Sequence, residues 1–110
     1  MVKRSGFLTR RPELSVEEFH AHWLGVHAPL VKEIAKPRRY VINLIDRERY
    51  PNFPFDGFSE LWFDAESDWD VLLTAGTPPR VDEARFSLPA SGVSMAEHVI
   101  VDGGRIDPMA

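Results

Sequence analysis

The stretch SVEEFHAHWLGVHAPL, residues 15–30, decides how this chain is built. Ser15 and Glu18 form an S-x-x-E capping box, in which each side chain satisfies a backbone donor that the first helical turn leaves free. Leu14, just before the cap, is placed to pack on Phe19 as a hydrophobic staple. At 100° per residue Val16, Phe19, Trp23, Val26, Leu30 and Ile34 fall on one stripe, so the helix docks on a sheet. His27 sits at the border of that stripe. Pro29 removes a backbone hydrogen bond and crowds the turn before it, which predicts a kink or break around residues 25–29. Pro37 ends the helix.

Residues 2–9 (VKRSGFLT) read as a first strand that stops before Pro12, and residues 39–46 (RYVINLID) as a second. A loop rich in Pro, Asn and charge covers 47–57, and 58–63 (FSELWF) reads as a third strand. A helix capped by Asp64 or Ser67 carries Trp69, Leu72 and Leu73 and stops at Gly76 and Pro78-Pro79. A short helical stretch near Val81–Phe86 follows, then a last strand at 94–101 (SMAEHVIV), with Gly103-Gly104 opening a tail. The order β-α-β-β-α-β is the ferredoxin-like split unit, an α+β fold with a four-stranded antiparallel sheet. Its helices cover one sheet face only. Yet Tyr40, Ile42 and Leu44 oppose Val41 and Ile45 on the second strand, and Phe58 and Trp62 oppose Leu61 and Phe63 on the third. Apolar side chains on both faces call for a second layer, most economically another copy of the chain packed sheet to sheet as a homodimer.

The 110 residues suit one domain, with 44% hydrophobic and 27% charged residues, and no linker or repeat divides residues 1–110. A formal net charge of −4 with scattered basic residues argues against a nucleic-acid partner. The basic positions, Lys3-Arg4 among them, read as solvated edges. There is no cysteine, which excludes disulfides, thiolate metal sites and cysteine nucleophiles and fits a reducing compartment. No signal-peptide core or membrane-length apolar run is visible, so a cytoplasmic location is expected.

Of the four histidines, His20 and His22 point about 200° apart on the helix, and His20 and His27 lie roughly 10 Å apart along it, too far to share an ion. No metal site is expected. Phosphate-binding glycine loops and the G-x-S-x-G elbow are missing as well, so no nucleotide cofactor or serine nucleophile is expected. His27, beside a proline-induced irregularity, has two readings. It braces the kink as a structural histidine, or it moves a proton to or from a ligand bound where the helix leaves room.

The run Ser15-x-Glu17-Glu18-Phe19-x-x-His22-Trp23-x-x-x-His27-Ala28-Pro29-Leu30 resembles the first-helix signature of the EthD family. Arg39-Tyr40-Val41, Asp56–Phe63 and Asp82-Glu83-x-x-Phe86 resemble its later landmarks, in the right order over nearly the whole chain. The resemblance implies a dimeric α+β barrel of ferredoxin-like protomers without a cofactor. Its relatives include muconolactone-type isomerases and polyketide cyclases, dehydratases or decarboxylases, and the wider superfamily holds cofactor-free monooxygenases of phenols. In the methylisomerase branch the counterparts of His27 and Tyr40 line the pocket. That branch also carries a cysteine in the strand where this chain has Leu61, so its particular reaction is not implied.

The expectation is an acid/base isomerase, cyclase or dehydratase acting on a small apolar, oxygenated ring compound, with His27 as general base and acid. Tyr40 is expected to polarise the substrate oxygen. Glu60, between Phe58 and Trp62, is expected to be desolvated, raised in pKa and able to orient the imidazole. Trp23, Phe55, Phe58 and Trp62 are candidate pocket walls, with the 47–57 loop as a cover. His98 is placed on the interior or dimer face of the last strand, and His22 at solvent or in a helix-surface contact. The alternatives are a cofactor-free monooxygenase and a non-catalytic ligand-binding or accessory dimer.

Overall fold

The computed structural model describes residues 1–103. Four strands, β1 (Val2–Leu8), β2 (Arg39–Leu44), β3 (Gly57–Phe63) and β4 (Ser91–Met95), form one sheet in the order β2-β3-β1-β4. Every neighbouring pair is antiparallel, with Ser5 opposite Glu60 and Val93, and Tyr40 opposite Leu61. This is the ferredoxin-like arrangement, an α+β fold. Between β1 and β2 run α1 (Val16–His22), a π-helical turn (Trp23–His27) and α2 (Ala28–Ala35). Between β3 and β4 come a 3₁₀ turn (Glu66–Trp69), α3 (Asp70–Leu73) and α4 (Pro78–Phe86).

The capping box at α1 forms as expected, Ser15 Oγ accepting from Glu18 N and Glu18 Oε1 accepting from Ser15 N, both at 3.0 Å. Leu14 packs against the cluster that contains Phe19. The expected irregularity before Pro29 is the π turn, whose signature is the Ala28 N–H reaching back to the Trp23 carbonyl. Pro29 has no N–H to give the Gly25 carbonyl, and the wider turn relieves the crowding that its ring creates. The extra residue also shifts the buried stripe. Phe19, Trp23, His27, Val31 and Ala35 are the buried positions, four apart, while Val26 and Ile34 of the expected stripe are exposed. His27 thereby moves from the border of the docked face into it. Past Ala35, Lys36 takes a left-handed conformation (φ 51°) and Pro37 prevents continuation.

The core lies between helices and sheet in two clusters, Leu8, Phe19, Trp23 and Phe86 at one end and Val31, Ala35, Leu61, Phe63 and Trp69 at the other. Strict alternation on β3 buries Ser59, Leu61 and Phe63 under the helices and turns Phe58, Glu60 and Trp62 to the outer face. The second helical segment is more broken than the sequence suggests. Neither Asp64 nor Ser67 caps it; instead Asp68 Oδ2 accepts from Ala65 N at 3.0 Å. The short stretch expected near Val81 is a nine-residue helix that begins at Pro78, where fixed φ suits a first turn. The last strand is Ser91–Met95, not 94–101, because pairing with β1 ends at Met95 opposite Lys3. Beyond Gly103 the expected tail lies outside the described residues.

Candidate functional site

A cavity of about 70 Å³ opens between the sheet and the helices. Its floor is the inner face of the sheet: Arg4, Gly6 and Leu8 from β1, Tyr40 from β2, Ser59 and Leu61 from β3. Trp23, His27 and Val31 form one wall, and Leu72, Leu73, Pro79, Arg80 and Glu83 form the other. Trp23 comes this close to β3 because Gly57 has no side chain. A Cβ there would lie 2.7 Å from the indole and 2.6 Å from the Asn43 carbonyl oxygen.

His27 is 6% exposed, and its Nδ1 lies 3.0 Å from Oδ2 of Asp82 on α4. Asp82 is 1% exposed, and its two oxygens are also 3.0 and 3.1 Å from His22 Nε2. Phe86, one turn further along α4, packs on both imidazoles, with ring centroids 4.8 Å from His22 and 5.0 Å from His27. A carboxylate can only accept, so both histidines donate to it. Neutral His27 is thereby held as the Nδ1–H tautomer, its Nε2 lone pair free of any protein partner among the described residues. Burial pushes the His27 pKa below its usual 6.5, partly offset by Asp82, so the ring is neutral near pH 7.

Tyr40 faces the same cavity from the sheet. Burial pushes its hydroxyl up to about 12, against the opposing effect of a hydrogen bond with the Trp23 side chain. The phenol therefore stays protonated and able to donate. Glu83 is likewise raised by burial, although Arg80 and Arg4 pull the other way. The arrangement offers a base, a donor and charged groups around one small space of mixed polar and apolar lining.

Several expected site residues lie elsewhere. Glu60 is on the outer sheet face, 2.8 Å from Lys3 Nζ and 2.8 Å from Asn43 Nδ2. Burial would raise its pKa, but Lys3 and Asn43 outweigh that and hold it below the usual carboxylate range. The carboxylate that orients the imidazole is Asp82 instead. Phe55 and Phe58 gather on Phe7 at 5.2 and 5.7 Å on that outer face, and Trp62 lies there under Lys3 and Arg39. None of the three lines the cavity with His27; Trp23 alone of the expected aromatic walls does. His98 follows β4 and is exposed, since the strand has already ended. The 47–57 loop is tied down by Arg47, which pairs with Asp56 at 3.0 Å and donates to the Phe53 and Phe55 carbonyls; α3 and α4 form the cavity wall in its place.

Sequence reasoning missed Asp82, Glu83 and Arg4 as site residues and the role of His22. The motif Asp82-Glu83-x-x-Phe86 held the first two, because i, i+3 and i+4 on one helix share a face. For Arg4 the signal was strand alternation: with Leu8 inward, Gly6 and Arg4 follow.

A family model, the EthD domain, matches residues 11–87. The chain belongs to the EthD family. The matched span runs from the approach to α1 through Ser87 and takes in His22, His27, Tyr40 and Asp82. Among solved structures, an EthD-family protein of Bacillus halodurans is similar over 89% of this chain and 100% of its own, at 21% identity and a TM-score of 0.69. A hypothetical protein of Arabidopsis thaliana is 15% identical over 91% of this chain and 90% of its own, TM-score 0.62. A protein of Bacteroides fragilis, described as dimeric, of unknown function and of ferredoxin-like fold, is 20% identical over 86% and 93%, TM-score 0.58. At these identities the likeness shows the shared fold. A comparison with curated proteins gives no match. No helix among the described residues is long and apolar enough to cross a membrane.

Proposed function

We propose that this EthD-family chain is a cofactor-independent acid/base catalyst of isomerase or lyase type, acting on a small oxygenated ring compound. The observation that carries the reading is the 3.0 Å contact between His27 Nδ1 and the buried Asp82, which leaves Nε2 of a cavity-lining imidazole as its proton-accepting nitrogen. His27 Nε2 takes a proton from the carbon alpha to a carbonyl or lactone. Asp82 holds the ring in place and stabilises the imidazolium that forms. Tyr40 donates a hydrogen bond to the oxygen on which negative charge develops. His27 then returns the proton at another position or to a leaving oxygen.

The cavity is about half the size of an engineered cavity known to take benzene, roughly 150 Å³ against about 70 Å³ here. A compact substrate would place its reacting group inside and leave the rest in the open mouth.

The outer sheet face supports a homodimer as the working unit. Val93 and Met95 are 42% and 41% exposed there, near Phe7, Phe58 and Trp62, and the related Bacteroides fragilis protein is dimeric.

The test is incorporation of deuterium from heavy water into a panel of cyclic ketones and lactones. His27→Ala should lower the exchange rate on an accepted compound about 10²- to 10⁴-fold, the usual contribution of a positioned base. Equal exchange by the variant and the parent would remove His27 from the chemistry. Oxygen consumption during turnover would point instead to monooxygenation.

A further inference from the structure

The alternation that turns Leu8 and Gly6 toward the helices turns Arg4 the same way, so a guanidinium reaches the cavity from the sheet floor. It is held there on both sides. Its carbon lies 5.6 Å from the centroid of the buried Trp69 ring, and a Cβ on Gly92 of β4 would collide with the guanidinium. A glycine at that position gives the arginine its room.

The charges on the cavity wall do not cancel. Arg4, Arg80 and Glu83 line it beside a neutral His27. Arg80 Nη1 takes Glu83 Oε2 at 3.3 Å. The Arg4 side chain makes no hydrogen bond or ion pair among the described residues, although nine ion pairs form there, several of them on the surface. A half-buried guanidinium has given up part of its hydration; the Trp69 ring and the nearby Glu83 charge offset some of that loss, but no carboxylate is in hydrogen-bond contact with its donors. A planar fork of donors in that state matches the two oxygens of a carboxylate.

We propose that Arg4 is the anion-recognition residue of this cavity and that the substrate carries a carboxylate. The inference rests on the reading of the cavity as a substrate site and narrows the substrate to acids. Arg4 binds the carboxylate against the sheet floor, which directs the reacting carbon of the same molecule toward His27 and Tyr40. The small volume agrees with a carboxylate entering first.

Benzoate and its neutral counterpart benzamide serve as probes, titrated calorimetrically and by nuclear magnetic resonance of the Arg4 side-chain Nε–H. Benzoate should bind about tenfold more tightly than benzamide or better, as expected of a charge-assisted pair, and should shift the Arg4 signal. Arg4→Gln should abolish the preference, and Arg4→Lys should restore only part of it. His27→Ala should keep the preference, so the loss of proton transfer and the loss of anion binding are separable. Equal binding of the two probes by the parent protein would overturn the proposal, as would a preference that survives Arg4→Gln. If Arg4→Gln does not fold, the parent's Arg4 signal decides: no shift at saturating benzoate overturns it.

Discussion

His27 is governed by opposed influences, burial and the neighbouring His22 that disfavour its charged form and Asp82 that favours it, and burial is the largest. Asp82→Asn removes the favourable one, so His27 should titrate at still lower pH, read directly from its imidazole resonances. An unchanged or raised value would mean that Asp82 does not hold Nδ1. The sign for stability follows. Below pH 6.5 the unfolded chain takes up a proton at this position while the folded ring resists it, so the unfolded state binds more protons and stability falls as pH drops toward the folded pKa. Above 6.5 the contribution is level, and in Asp82→Asn the sloping window extends further down. How much of this was legible in the sequence differs by residue. His27 and Tyr40 could be named from the helix signature and the strand, but Asp82 sits 55 residues from His27 and meets it only through tertiary packing. Glu60 shows the opposite failure. Its neighbours on the strand suggested desolvation, whereas its actual environment is set by Lys3 across the sheet, a partner that no local pattern reveals.

At the scale of elements, the helix that carries His27 depends on its start. The Ser15–Glu18 box satisfies two donors reciprocally, so Ser15→Ala should cost about 1 kcal/mol of stability, measured as a shift in urea midpoint at unchanged slope. A cost near zero would mean that water replaces the cap without loss. This boundary was readable because capping is local chemistry. The π turn was readable only in part. Pro29 announces an irregularity, but an added residue, a missing hydrogen bond and a plain bend all satisfy the same proline. Choosing the added residue is what moves Val26 and Ile34 out and His27 in, and the choice is made by packing against Phe86 and the sheet. The end of β4 was misplaced for a similar reason. Residues 94–101 are rich in strand formers, yet strand length is fixed by how far β1 extends beside it, and β1 begins at Val2.

At the scale of the molecule, the two faces of the sheet divide the work. The inner face, with Arg4, Tyr40 and Leu61, builds the cavity, and the outer face, with Phe7, Phe58, Trp62, Val93 and Met95, remains without a covering layer in the single chain. Alternation in β2 and β3 made this division visible in the sequence, since two helices cannot cover both faces. Outer-face polar groups are already paired among themselves, Lys3 with Glu60 and Glu97, and Trp62 Nε1 with Glu97 at 3.1 Å. Pairing neutralises them and lowers the cost of burying the face under a second copy. Val93 is a suitable probe because it is 42% exposed and its side chain contributes little to the core of one protomer. Val93→Glu should leave the protomer folded by circular dichroism and place an unpaired carboxylate against its counterpart or neighbours in the dimer. Light scattering should then report a monomer at micromolar concentrations where the parent is a dimer, a weakening of about 100-fold or more. A parent protein that is monomeric at those concentrations would leave the outer face without a second copy, and a variant that still dimerises would place the contact elsewhere on the molecule. Because the cavity lies on the inner face, Val93→Glu should also keep the benzoate preference that Arg4 confers, which separates assembly from recognition in one variant.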